Sequence, residues 1–225
     1  MYQLLIANKN YSSWSLMVWL LMRQIQIPFE EKLFTFEQHD SWEKFSKSSP
    51  TGLLPCLIDG DTLVWDSLAI VEYLAEAFPT IWPKNKNARA WARSATSEMH
   101  SGFQFFNSKS LSCATQVKLK TLSEKSRKDI NRINELWQEG LNKFGGPFLA
   151  GRHFTAMDAF YSPVAIKINN YGLSIDKKPR QYVNRILALP NLRQWIEQAL
   201  REPWRVQEYE EIERQAGIST MDLST

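Results

Sequence analysis

A chain of 225 residues with 44% hydrophobic content can build one large core or two modest ones. Its 27 basic and 24 acidic residues nearly cancel to +3, and no dense basic run is interleaved with aromatics, which argues against nucleic-acid binding. Cys56 and Cys113 stand far apart in no Cys-x-x-Cys or Cys/His ligand spacing, which argues against a disulfide framework and against a metal site.

The longest apolar stretch near the N-terminus, Leu16 to Met22, falls far short of the roughly 20 residues needed to cross a bilayer. Met1-Tyr2-Gln3 lacks a basic region, and Leu4-Leu5-Ile6-Ala7 is too short for the apolar part of a signal peptide. The expectation is a cytoplasmic protein without a membrane segment. Tyr2 to Ala7 reads as a buried strand that gives way to polar Asn8-Lys9-Asn10. From Ser15 onward Leu16, Trp19 and Leu20 recur at helical spacing, and Pro28 closes that segment. Phe29 to Phe34 suits a second strand, and the Trp42/Phe45 pair suggests a short helix before the turn Ser49-Pro50-Thr51-Gly52. Cys56-Leu57-Ile58 and Leu63-Val64-Trp65 then read as antiparallel strands joined through Asp59-Gly60-Asp61, whose Asp-Gly pair is a hairpin signal. Asp66-Ser67 caps a helix with an apolar face of Leu68, Ile70, Val71 and Leu74, ended by Phe78-Pro79.

The order βαβαββα over about 80 residues argues for a small α/β layer on a mixed four-stranded sheet, the order found in thioredoxin-like domains. Pro79-Thr80-Ile81-Trp82-Pro83 is a stiff connection, so the expected division is an α/β unit at 1–79, a linker at 80–85 and an all-helical unit at 86–225. In the last, Ile130, Ile133, Leu136, Trp137 and Leu141 fall at spacings of three and four. The tail after Gly217 has the polar, unpatterned look of a frayed end. Trp14, Trp19, Trp65 and Trp195 fall mostly on apolar faces and read as core, Trp14 alone adjoining the serine cluster.

Tyr11-Ser12-Ser13-Trp14-Ser15 lies between the first strand and first helix, where free N–H groups and the helix dipole favour an anion. A free thiol with pKa near about 8.5 is largely protonated at neutral pH, and a hydroxyl donating to the sulfur shifts it toward the thiolate. A serine suits that task because it need not ionise itself. Taken alone, these serines, like Asp66-Ser67, are better explained as helix caps.

Taken together, the segments resemble the glutathione S-transferase superfamily, particularly its serine-type bacterial and zeta-like (maleylacetoacetate isomerase-like) members. Ser12-Ser13-Trp14-Ser15 is similar to the Ser-Ser-Cys-Ser motif, Thr51-Gly52-Leu53-Leu54-Pro55 to the stretch that ends in a buried cis-proline, and Asp66-Ser67 to the acidic-Ser pair opening the third helix. Thr155-Ala156-Met157-Asp158 after Phe148-Leu149-Ala150-Gly151 resembles the structural capping box of the family's helical domain. The resemblance implies a thioredoxin-like first domain that binds glutathione and a helical domain that completes a second-substrate pocket. It implies that Ser12, with Ser13 as its neighbouring candidate and Tyr11 as a third donor, activates the glutathione thiol. It further implies that the Leu54 backbone pairs with the cysteinyl part beside Pro55, and that Asp66 and Ser67 hold the γ-glutamyl end.

Two departures accompany the resemblance. Met17-Val18 stand where relatives often carry Arg-Pro, and Leu53 replaces a polar or basic residue that would reach the glycine end of glutathione. His39, after the second strand, is a candidate to meet the glycyl carboxylate in its place. Cys56 follows Pro55 inside a strand and is expected to be buried and inert. The implied activity is glutathione transfer to a small electrophile, or glutathione-dependent cis-trans isomerisation by reversible addition to a double bond. A non-catalytic transferase-fold adaptor is the reading from another class. A homodimer, no nucleic acid and no metal complete the expectations.

Overall fold

The structure, a computed structural model, describes residues 1–35, 48–107 and 112–224. His39 and the short helix expected around Trp42 and Phe45 lie outside the described residues. Strand β1 (Tyr2–Ala7) sits inside a four-stranded sheet in which β2 (Phe29–Phe34) pairs with it in parallel on one side. On its other side β3 (Cys56–Asp59) pairs antiparallel, followed by antiparallel β4 (Thr62–Trp65), giving the order β2-β1-β3-β4. The Asp59↔Thr62 pairing leaves Gly60-Asp61 as a two-residue loop. Gly60, at φ 57°, supplies the left-handed first position that such a hairpin requires.

Helix α1 (Ser13–Gln24) is buried continuously from Ser15 to Met22, the signature of a helix covered on every side. The sheet covers one side, and the helical half of the molecule covers the other. The helix stops where Gln26 takes φ 61° and Ile27 N–H reaches back to the Met22 carbonyl at 2.9 Å, just before Pro28. Helix α2 (Ser67–Ala77) buries Ile70, Val71 and Leu74 and ends at Phe78, where Pro79–Ile81 makes one turn of 3₁₀ helix.

Helix α3 (Lys86–Ser101) opens on Asn85, whose side chain accepts from the Asn87 and Ala88 N–H groups at 2.9 and 3.0 Å. The short α4 (Gln104–Asn107) is followed by α5 (Glu124–Lys143), which turns Ile130, Ile133, Leu136 and Trp137 inward as the spacing predicts. Helix α6 (Ala156–Asn170) is the central one, buried from Ala156 to Ile168 and packed on α1, α3 and α7 (Lys177–Leu187). Its entry is the expected capping box. Asp158 accepts from the Thr155 N–H and hydroxyl through Oδ2, and from the Leu149 N–H and Tyr182 hydroxyl through Oδ1. Burial outweighs those four donors and pushes the carboxyl up to about 6. Helix α8 (Pro190–Leu200) brings Trp195 against Trp19 of α1, with ring centroids 5.2 Å apart.

Two expectations are corrected. The residues after Gly217 are not frayed: α9 (Gln207–Ala216) runs into β6 (Gly217–Asp222), which pairs antiparallel with β5 (Thr115–Leu119). The helical domain therefore carries a two-stranded ribbon. Neither strand has a strong apolar alternation, and the pairing is visible only when segments about 100 residues apart are brought together. Trp65 is 44% exposed rather than core, because it is the last residue of the edge strand β4. Trp19 and Trp195 are fully buried as expected. Among the described residues, no helix is long and apolar enough to cross a membrane.

Candidate active site at one end of the sheet

Strand register brings three sequence segments to the same edge. Leu5 pairs with Cys56, and Cys56 pairs with Trp65, so the carboxyl end of β1, the start of β3 and the end of β4 lie side by side. The segment Asn8 to Ser12 leaves that edge from β1, Leu54-Pro55 enters it before β3, and Asp66-Ser67 leaves it after β4. The Leu54–Pro55 peptide bond is cis and Pro55 is buried, matching the geometry expected of that stretch.

Ser12 is the N-cap of α1 and is 6% exposed. Its Oγ accepts from the Ser15 N–H at 3.3 Å and donates to Ser15 Oγ at 2.8 Å. Ser15 Oγ also accepts from the Ala7 N–H at 3.1 Å, so the serine pair ties the end of β1 to the first turn of α1. Ser13 is half-buried at the first helical position. Tyr11 is buried and fully engaged, its hydroxyl donating to Glu210 at 2.9 Å and accepting from the Val206 N–H at 3.2 Å. Burial, reinforced by Glu210, pushes this phenol up to about 12.

The loop before Ser12 is gripped by the helical domain. Glu202 accepts from the Lys9 and Asn10 N–H groups at 2.7 and 3.1 Å, Trp195 Nε1 donates to the Lys9 carbonyl at 2.9 Å, and Asn10 Oδ1 accepts from the Ala114 N–H at 2.8 Å. The Lys9 ammonium lies over the Trp19 and Trp195 rings at 5.4 and 5.3 Å and contacts Glu31 at 2.5 Å. Lys9 thus faces the interior of the domain junction and anchors the loop there.

At the other segment, Asp66 holds φ 73° and caps α2, Oδ1 accepting from the Leu68 and Ala69 N–H groups at 2.8 and 3.3 Å. Ser67, the first helical residue, is 2% exposed, and its Oγ has no hydrogen-bond partner among the described residues. A buried hydroxyl without a partner at a helix N-terminus suits an incoming anionic acceptor. His100, which sequence reasoning missed, reaches Asp66 from α3 with Nε2 3.1 Å from Oδ1 and 3.0 Å from Oδ2. Its ring also stands edge-on to Trp14 at 5.3 Å, joining the two ends of the site. No local sequence signal ties a histidine late in α3 to a residue 34 positions earlier.

Cys56 is buried, its thiol donates to the Leu53 carbonyl at 3.5 Å, and burial raises its pKa, in keeping with an inert role. Leu53 itself is 69% exposed. An open cleft of about 930 Å³ lies elsewhere, lined among others by Lys118, Arg127, Ile130 and Leu173, and takes in none of these segments. Among the described residues no group of three or more His, Cys, Asp or Glu side chains is placed to hold a metal ion.

The family model for the glutathione S-transferase N-terminal domain matches residues 11–77, the span that holds Ser12, Leu54-Pro55 and Asp66-Ser67. Over that span the chain carries a glutathione S-transferase N-terminal domain. A probable maleylacetoacetate isomerase of Vibrio cholerae is 25% identical over 166 residues, 68% of this chain and 74% of that protein. Glutathione S-transferase Z2 of Arabidopsis thaliana is 28% identical over 149 residues, 64% of this chain and 66% of its own length. Among solved structures, a Burkholderia glutathione transferase homolog with bound glutathione superposes with a TM-score of 0.68 at 18% identity, covering 88% of this chain and 97% of that one. The transferase architecture of a thioredoxin-like domain followed by a helical domain is therefore shared.

Proposed function

We propose that this chain is a glutathione transferase or glutathione-dependent isomerase that binds glutathione along the sheet edge and activates its thiol with the Ser12 hydroxyl. The observation that carries this reading is the convergence of three segments at one edge, with cis Leu54–Pro55 between the Ser12 cap and the unpartnered Ser67 hydroxyl. In this reading 1–79 form the glutathione-binding domain, 80–85 the linker and 86–225 the helical domain. The Leu54 main chain pairs with the cysteinyl unit, Asp66 takes the γ-glutamyl ammonium, and the Ser67 hydroxyl and N–H take the adjacent carboxylate. The electrophile lies against the helical domain, and the working unit is a cytoplasmic homodimer.

The Ser12/Ser15 pair gives the activation a defined form. While Ser12 donates to Ser15 its hydrogen is unavailable to a sulfur, so thiol activation requires the Ser12 O–H to turn outward. Ser15 is then free to donate back to Ser12 Oγ, which polarises the Ser12 O–H and strengthens its bond to the thiolate. Ser13, half-buried at the head of α1, is the alternative donor. Conjugation and isomerisation use the same activated sulfur and differ in whether the adduct is released or eliminates after rotation.

Binding to immobilised glutathione and turnover with an electrophile panel that includes a maleylacetoacetate analogue test the proposal. Retention and turnover are expected; failure to bind at millimolar glutathione would sink it. Ser12→Ala is expected to keep binding and to lower the thiolate absorbance of bound glutathione at neutral pH. That loss in Ser13→Ala instead would move the role one residue on.

A further inference from the structure

The γ-glutamyl end of glutathione presents an ammonium and a carboxylate side by side, so a site for it needs a fixed acceptor next to fixed donors. Ser67 is fixed by burial. Asp66 is less so: its side chain is 46% exposed, and of its two oxygens only Oδ1 accepts from the N–H groups of its own helix. An exposed carboxylate free to rotate loses entropy when it pairs with a ligand.

His100 supplies the missing constraint. A carboxylate accepts and does not donate, so the Nε2 placed 3.0 and 3.1 Å from the two Asp66 oxygens carries the hydrogen. The imidazole is itself fixed by packing, with Trp14 of α1 at 5.3 Å and Phe160 of α6 at 6.3 Å. It belongs to the last turn of α3, which Gly102 closes by donating to the Glu98 carbonyl at 2.9 Å. Three helices therefore converge on one ring, and that ring points its donor at the carboxylate beside the unpartnered Ser67 hydroxyl.

We propose that His100 is a positioning residue of the glutathione site: by donating to Asp66 it sets the carboxylate for the γ-glutamyl ammonium, so the site of the first domain is completed by the second. The inference rests on the reading that Asp66 and Ser67 bind glutathione. An ordinary interdomain ion pair would tie the same helices together but would leave ligand affinity unchanged.

The test uses the full chain, with glutathione binding measured by calorimetry and KM and kcat measured at saturating electrophile. His100→Phe keeps a ring against Trp14 and Phe160 and removes the donor. It is expected to weaken glutathione binding about tenfold and to raise KM for glutathione similarly, with kcat changed less than about twofold. His100→Gln keeps an N–H donor and is expected to recover most of that loss. Parent-like affinity in His100→Phe, or equal losses in the Phe and Gln variants, overturns the positioning role. Asp66→Asn and Ser67→Ala separate the two levels. If they lose binding while His100→Phe does not, the inference fails and the glutathione reading stands; if they bind like the parent, the reading itself fails.

Discussion

Asp158 shows how a single side chain sets up the architecture that the site depends on. Its two oxygens satisfy two backbone N–H groups and two hydroxyls where the loop 149–155 meets α6. Asp158→Ala strands all four donors in the interior and is expected to cost about 3 kcal/mol, read as a lowered urea midpoint. Asp158→Asn retains acceptor capacity and is expected to lose less. Ser15 is the comparable residue at the candidate site. Ser15→Ala removes the acceptor of the Ala7 N–H and the partner of Ser12, with an expected loss of about 1–2 kcal/mol in stability. In the same variant the thiolate fraction of bound glutathione should fall less than in Ser12→Ala, because Ser12 keeps its own O–H. A thiolate signal equal to that of the parent would leave Ser15 a purely structural cap.

At the scale of elements, the strand-helix order of the first domain was legible because each element carries its own punctuation. Pro28 follows α1, Gly60 sits in the hairpin, and Asp66-Ser67 opens α2. The three segments of the candidate site stood out in the sequence for the same reason, as each lies at the boundary of an element. The β5–β6 ribbon was not, since its two strands are short and pair across about 100 residues of intervening chain. The same distance hid the contact of α9 with Tyr11 in the loop before α1. Tyr11 donates to Glu210, Glu210 pairs with Arg205, and Arg205 reaches Asp222 of β6 at 2.9 Å. Tyr11→Phe leaves Glu210 and the Val206 N–H without that hydroxyl. A loss of about 1–2 kcal/mol in the urea unfolding of the chain is expected, together with faster amide exchange in α9.

Over the whole molecule, burial of charge gives stability a pH dependence of definite sign. Lys167 of α6 is 2% exposed, with Nζ 3.3 Å from the Phe105 and Phe106 carbonyls, and burial brings its ammonium down to about 8 against the opposing field of Glu213. The unfolded chain holds that proton up to an ordinary lysine value near about 10.4, so between the two it binds more protons than the folded chain. Stability from this residue is therefore expected to rise with pH from about 8 toward 10 and to be insensitive to pH below that window. Lys167→Met should flatten that slope in a series of thermal midpoints. The burial of α1 on every side has a counterpart in the unbroken apolar run Leu16 to Met22, which taken as sequence argued only against a membrane span, whereas the joining of the domains through His100 left no such trace, because it consists of one side chain meeting two others across a boundary. That single ring also makes the molecule its own optical sensor. An imidazole edge-on to the Trp14 indole and bonded to Asp66 couples the indole's surroundings to that carboxylate, so the difference in intrinsic fluorescence between the parent chain and Trp14→Phe should track ligand arrival at Asp66 in real time, without a label.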